Sequence, residues 1–165
     1  MIQAIKKELI EDIEAIATLT SGKQKKYFED MLKAAQPVEI SSIHEVFSTT
    51  EIKKIKDLVR PKMKKCYRNA HLLTCLFPDR VKYVDGRVFA KDVGIPIDHA
   101  FNRVGDKYVD ITFEMVVEKD VSKCDYIKFG EYDIEQVDET AEKTGYYGEC
   151  YKFMWLKENN YRKNL

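Results

Sequence analysis

The hydrophobic pattern of this chain changes period near residue 80, and that change limits its fold more than any other feature. As far as Phe77-Pro78-Asp79, apolar residues recur every three or four positions. From Val81 onward, β-branched and aromatic residues crowd into short runs. The first spacing puts apolar side chains on one face of a helix, and the second is that of strands. The pattern predicts an α+β domain: N-terminal helices packed with an antiparallel β-sheet, then a closing helix.

Ile2, Ile5, Leu9, Ile13 and Ile16 form a first helical stripe, broken at Thr20-Ser21-Gly22. Ser21 and Gln24 have capping-box spacing and predict a second helix. Tyr27, Phe28, Met31, Leu32 and Ala35 are its apolar face, and Pro37 stops it. Ser48 and Glu51 repeat the capping spacing before a third stripe of Ile52, Ile55, Leu58 and Val59. Pro61 is tolerated at a helix start but not inside a helix, so the next helix opens after Arg60. In it, Cys66, Ala70, Leu73 and Phe77 share a face, with Cys66 in the first turn.

Residues 81–90, 95–104, 107–117 and 124–137 read as strands, with Gly130 as a turn or bulge. Gly105-Asp106 joins two of them in a tight hairpin. Asp85-Gly86 has turn composition, or else Gly86 lets another backbone approach a straight strand. Residues 148–164 return to helix, with Tyr151, Met154 and Trp155 on one face. With no repeat or long linker, the 165 residues read as a single domain, 1–60 helical and 61–165 a helix-plus-sheet core.

Lys and Arg balance Asp and Glu at 28 each. That balance ranks nucleic-acid binding last among the function classes, despite a local basic cluster of Lys62, Lys64, Lys65 and Arg68. No apolar run is long enough to span a membrane, and the N-terminus lacks the pattern of a secretory signal, so the expected compartment is the cytosol. The four cysteines, Cys66, Cys75, Cys124 and Cys150, are then expected as thiols.

Three residues together suggest chemistry. If Val104 pairs with Lys107, then His99 lies opposite Thr112, and Asp110 opposite Phe101. His99 and Asp110 become diagonal neighbours on one face, with Cβ atoms ~7–8 Å apart or less. Cys66 at a helix N-terminus sits where unpaired N–H groups favour a thiolate. His99 would take its proton, Asp110 would orient the ring, and the Cys66 backbone N–H would face a developing oxyanion. The plainer reading makes Cys66 a core side chain, His99 a buried ring bonded to backbone, and Asp110 a turn cap. A metal site is weaker. His71 and Cys75 could share a helix face, but Cys66 lies roughly 140° away from His71. Further ligands would have to be isolated residues such as His44 or Cys150, so no metal is expected. Tyr146 and Tyr147, between two glycines, are candidates to line a substrate groove.

The segments "CYRNAHLL", "VKYVDGRV" and "IPIDHAFNRVGDKYVDITF" resemble the transglutaminase-like branch of the papain-like cysteine enzymes, closest to small bacterial and phage proteins of that type. The resemblance spans about residues 66–113. It implies Cys66 as nucleophile, His99 as base and Asp110 as orienting acid. It also implies Gly86 in the strand beside the histidine strand, not in a turn. Tyr67 and Phe101 stand where a tryptophan often accompanies the cysteine or histidine. No upstream side chain matches the second oxyanion donor, and residues 1–60 have no counterpart.

The expectation is a cysteine-dependent hydrolase or acyltransferase acting on an amide, ester or thioester through a Cys66 thioacyl intermediate, without a cofactor. Tyr67, Gly86, Phe101, Tyr146 and Tyr147 would border a peptide or small-molecule acyl substrate. The competing expectation is a catalytically inactive module of the same fold that binds a phage or host partner. Nothing in the sequence specifies an oligomeric state.

Overall fold

The computed structural model describes residues 5–161. It is an α+β structure of seven α-helices and one five-stranded antiparallel sheet. The helices are α1 (Glu11–Leu19), α2 (Gly22–Ala34), α3 (Thr49–Lys54), α4 (Cys66–Leu76), α5 (Ile111–Met115), α6 (Ile134–Thr144) and α7 (Cys150–Glu158). The strands are β1 (Gln36–Val38), β2 (Val81–Ala90), β3 (Pro96–Val104), β4 (Lys107–Val109) and β5 (Cys124–Tyr132), in the order β1-β5-β2-β3-β4.

The first apolar stripe is not one helix. A 3-10 turn at Lys7–Leu9 precedes α1, and Ile10 between them leaves helical geometry at φ −128°. Leu9, Ile13 and Ala17 are buried, whereas Ile16 is exposed. Ile2 lies outside the described residues. Ser21 is the N-cap of α2, but its side chain makes no capping bond. The second capping box does form: Ser48 Oγ accepts the Glu51 N–H, and Glu51 Oε2 accepts the Ser48 N–H. After Lys54 the helix widens into a π turn over Ile55–Val59, closed by Arg60 N–H to Ile55 O. That widening keeps Ile52, Ile55 and Val59 in the core and turns Leu58 out to solvent. Pro37 does follow the end of α2, but within β1, an edge strand where a missing N–H is tolerated.

β2 runs unbroken through Asp85-Gly86, so the turn reading there is corrected. A Cβ on Gly86 would stand 2.0 Å from the Ile127 carbonyl oxygen and 3.0 Å from the Phe101 ring. Glycine is required by the close approach of β5. Beside it the β2–β5 register slips, Asp85 opposing Gly130 and Gly86 opposing Lys128, so Phe129 is the extra residue of a bulge.

The hairpin register is as the sequence predicts, with Val104 opposite Lys107 and Asn102 opposite Val109. Gly105 takes φ 63° in the first turn position, the II′ arrangement that suits twisted strands. The strand beyond it is shorter than expected. β4 stops at Val109 and the chain turns into α5, so Thr112 does not pair with His99. Likewise β5 ends at Tyr132, and 134–144 form α6, opened by a reciprocal Asp133–Gln136 capping box.

Strand alternation gives the sheet two unlike faces. Tyr83, Asp85, Arg87, Asp98, Ala100 and Asn102 point to one. α4 packs there, with Asn102 Nδ2 donating to Ala70 O at 2.9 Å and Thr74 Oγ1 at 3.2 Å. Leu73 of α4 is fully buried, a side chain worth ~1.5–3 kcal/mol of stabilisation by burial. α7 also covers this face, burying Phe153 and Met154 against Tyr83 and Ala100. Gly86, Val88, His99, Phe101 and Tyr126 point to the other face, where Phe113 and Val121 cover them.

Candidate active site

Cys66 is the first residue of α4, and one side chain fixes the turn that delivers it. Asn69 is fully buried. Its Nδ2 donates to Lys62 O at 2.8 Å and to Thr112 Oγ1 at 3.0 Å, and its Oδ1 accepts the Lys62 N–H at 3.0 Å. The start of α4 is thereby stitched to the 61–65 turn and to α5. Two residues in left-handed geometry, Arg60 (φ 47°) and Lys64 (φ 58°), bracket that turn. The N-cap, Lys65, offers no side-chain cap, so the first-turn N–H groups keep their field at Cys66.

Asp110 is not the strand residue the sequence predicts but the N-cap of α5. Its Oδ1 accepts the N–H groups of Thr112 and Phe113, both at 3.0 Å. Those bonds replace the next rungs of the ladder, which is why β4 ends there. Its Oδ2 is bonded to His99 Nε2 at 2.6 Å and accepts the Tyr126 hydroxyl at 2.8 Å. His99 is 2% exposed and Asp110 is fully buried. Burial disfavours a charged imidazole, but the Asp110 charge and hydrogen bond outweigh it. Cys66 acts in the same direction, and the ring is pushed up to about 10. With Nε2 committed to Asp110, Nδ1 is the ring nitrogen that this bond does not engage.

The meeting of Cys66 with His99 depends on an open strand edge. α4 packs on the sheet face opposite to His99. β4, however, pairs only with residues 102–104 of β3, leaving the edge beside residues 97–101 without a strand. α5 fills that edge, and the first turn of α4 reaches it through the Asn69–Thr112 bond.

The other predicted residues fall into three groups. Phe101, expected at a substrate groove, is 1% exposed and packs edge-on against Tyr108 and Tyr126. It is a core aromatic beneath His99. Tyr67 and Gly86 border a cavity of about 270 Å³, together with Asp85, Arg87 and Asp98. Tyr146 and Tyr147 are exposed and share with Tyr67 and Glu149 a second hollow of about 190 Å³. Neither cavity is lined by Cys66, His99 or Asp110; Tyr67 and Asp98 are their chain neighbours.

His71 and Cys75 do share a helix face, and Asp138 of α6 joins them, with one ligand atom from each within 4.8 Å of the others. His44, Cys66 and Cys150 are not part of that group. His71 Nε2 is already bonded to Asp138 Oδ1 at 2.9 Å, and Tyr147 stands edge-on to the ring.

All four cysteines are free. Burial pushes the thiols of Cys75, Cys124 and Cys150 up. Cys66 is the thiol that favours the charged form of His99. Lys62, Lys64 and Lys65 are solvent-exposed, while Arg68 turns inward to Val59 O and Arg60 O. No helix among the described residues is long and apolar enough to cross a membrane.

Sequence reasoning missed Asn69 and Tyr126. An amide three positions after Cys66, on the helix face that Cys66, Ala70 and Leu73 share, is the signal that could have found the first. Nothing local marks Tyr126, whose partner lies across the sheet. The chain matches no family model, no curated protein and no solved structure.

Proposed function

We propose that the protein is a cysteine-dependent acyl-transfer enzyme on a single domain with a papain-like, transglutaminase-type core. The observation that carries this reading is the fixed, buried His99–Asp110 pair, with the ring held toward its charged form beside a helix-opening cysteine. A ring that favours its charge keeps the proton it takes from Cys66. The sulfur then attacks the carbonyl carbon of an amide, ester or thioester, and the carbonyl π pair moves onto oxygen. First-turn N–H groups of α4 stabilise that oxyanion. On collapse the carbon–leaving-group bond breaks, and His99 protonates the departing nitrogen, oxygen or sulfur. Water or an amine then attacks the thioester, gives a proton to His99, and releases the thiol. Free thiols fit a reducing compartment such as the cytosol.

A second reading, a binding module without turnover, draws on one observation: of the two neighbouring cavities, one is lined by Tyr67, Gly86 and Asp98 and the other by Tyr67, Tyr146 and Tyr147, neither by Cys66 or His99 themselves. Reactivity separates the two readings. The native protein is alkylated with limiting iodoacetamide near pH 6, and the labelled sites are mapped by mass spectrometry. The enzyme reading expects Cys66 to be labelled first, and to lose that preference in His99→Ala. Labelling of Cys66 no faster than the exposed Cys75 would sink it.

A further inference from the structure

The cavity of about 270 Å³ on the helix-covered face of the sheet has a charge pattern that the acyl-transfer reading does not use. Asp12, Asp85, Asp98 and Glu149 line it, against Arg87 and Lys152. Arg87 is already spent. Its Nε donates to Asp98 at 2.7 Å, Nη1 and Nη2 donate to Asp12 at 2.6 and 2.8 Å, and Nη1 also reaches Leu9 O at 3.1 Å. That leaves Asp85 at the floor and Glu149 at the exposed rim, opposed only by Lys152, itself exposed.

Asp85 is 3% exposed. Its Oδ2 accepts the Tyr151 N–H at 2.6 Å, while its Oδ1 has no hydrogen-bond partner. A buried acceptor without a donor is destabilising, and more so if charged. Burial, reinforced by the Glu149 charge, pushes this carboxyl up to about 7. Gly86 beside it borders the cavity, its absent side chain pointing to the opposite face of the sheet. The half-buried rings of Tyr27, Tyr67 and Tyr151 wall the cavity. The unmet need is a donor, a positive charge meets it best, and aromatic rings favour cations.

We propose that this cavity binds a protonated aliphatic amine, with an ammonium N–H donating to the Asp85 carboxyl at its floor and the charge lying among the three tyrosines. An anion would find Arg87 already occupied and a net negative lining. Because Tyr67 follows Cys66, the amine would belong to the molecule that Cys66 acts on; that step rests on the function proposed above, and the cation site does not.

The test uses the full chain as Cys66→Ser, so that nothing can react, and follows backbone amides by NMR. It is titrated with n-butylammonium, butyrate or butanol at constant ionic strength. Saturable shifts at Gly86, Tyr67 and Tyr151 with butylammonium alone support the site. Asp85→Asn, which places an amide N–H₂ where the ligand would donate, should weaken binding about tenfold or more, the loss of one charge-assisted hydrogen bond. Should that variant not fold, Glu149→Gln at the exposed rim decides, with an expected loss of about threefold from one screened charge. Equal shifts with all three probes, no saturation, or unchanged affinity in the folded variants would overturn the site. None of these results depends on whether Cys66 is reactive, so the two readings fail separately.

Discussion

Replacing Asp110 with asparagine isolates the energy of the buried pair. Asparagine keeps an oxygen for the Thr112 and Phe113 N–H groups, so the cap of α5, worth ~1 kcal/mol, survives. Its amide nitrogen then faces His99 Nε2 and the Tyr126 hydroxyl as a donor, so a charged ring loses its acceptor and the Tyr126 hydroxyl must turn to accept. In the parent, the ring moves from its ordinary 6.5 to about 10. At ~1.4 kcal/mol per pH unit, that is ~5 kcal/mol of preference for the charged ring. Loss of one partner from a buried pair costs ~3–5 kcal/mol, so the two routes agree. Because the folded value lies above the unfolded one, this stabilisation is fully present below about 6.5 and is lost as pH rises through about 10. Urea unfolding of parent and variant should therefore differ by ~3–5 kcal/mol at pH 6, and by clearly less at pH 10.5. Groups that titrate in both proteins cancel in the difference. Imidazole NMR should show a charged His99 ring at pH 7 in the parent and a neutral one in the variant, where burial acts unopposed. A difference under ~1 kcal/mol, or one that does not change with pH, would refute the argument.

Gly86→Ala drives a methyl group into the Ile127 carbonyl, at 2.0 Å, so the β2–β5 bulge must part. We expect ~3 kcal/mol or more of destabilisation, seen as a lower urea midpoint or loss of soluble protein. Asn69→Ala removes four hydrogen bonds, one of them from Arg68, and strands the Lys62 backbone groups and the Thr112 hydroxyl. It should cost ~2–3 kcal/mol and also slow Cys66 alkylation at pH 6, whereas Leu73→Ala at a comparable stability loss should not slow it. Equal slowing in both would place the effect in global stability.

What could be read in the sequence was what depends on near neighbours. The Gly105-Asp106 turn set the hairpin register because two residues leave one way to close it. Ser48–Glu51 formed its box because both partners lie in one turn. Ser21 did not form one with the same spacing. The β reading of 107–117 failed at Asp110, where one carboxylate captures two N–H groups and starts a helix inside a run of β-forming residues. The β reading of 124–137 failed for a similar reason, although the Asp133–Gln136 spacing was in view. For Gly86 the turn reading was slightly favoured over the strand reading on local grounds. Only the approach of Ile127, from a strand not yet placed, separates them.

The same distinction explains why the candidate site was legible in its members but not in its construction. Cys66, His99 and Asp110 are visible as residue types, and the register puts the last two near each other. A longer β4 would have carried Asp110 onward in the ladder and covered the β3 edge beside His99. The early helix start does two things at once. It leaves Asp110 with one oxygen for the α5 cap and one for the imidazole, and it opens the edge through which α4 delivers Cys66. Asn69 then holds α4 to α5 through Thr112, two residues from Asp110. The cap of a five-residue helix is thus the structural decision on which the rest of the group depends. Substitutions at Asp110 should therefore divide by shape as well as charge: asparagine loses the imidazole contact and keeps the cap, whereas alanine loses both. Alanine should be the less stable of the two by ~1 kcal/mol, the contribution of the cap that only asparagine keeps.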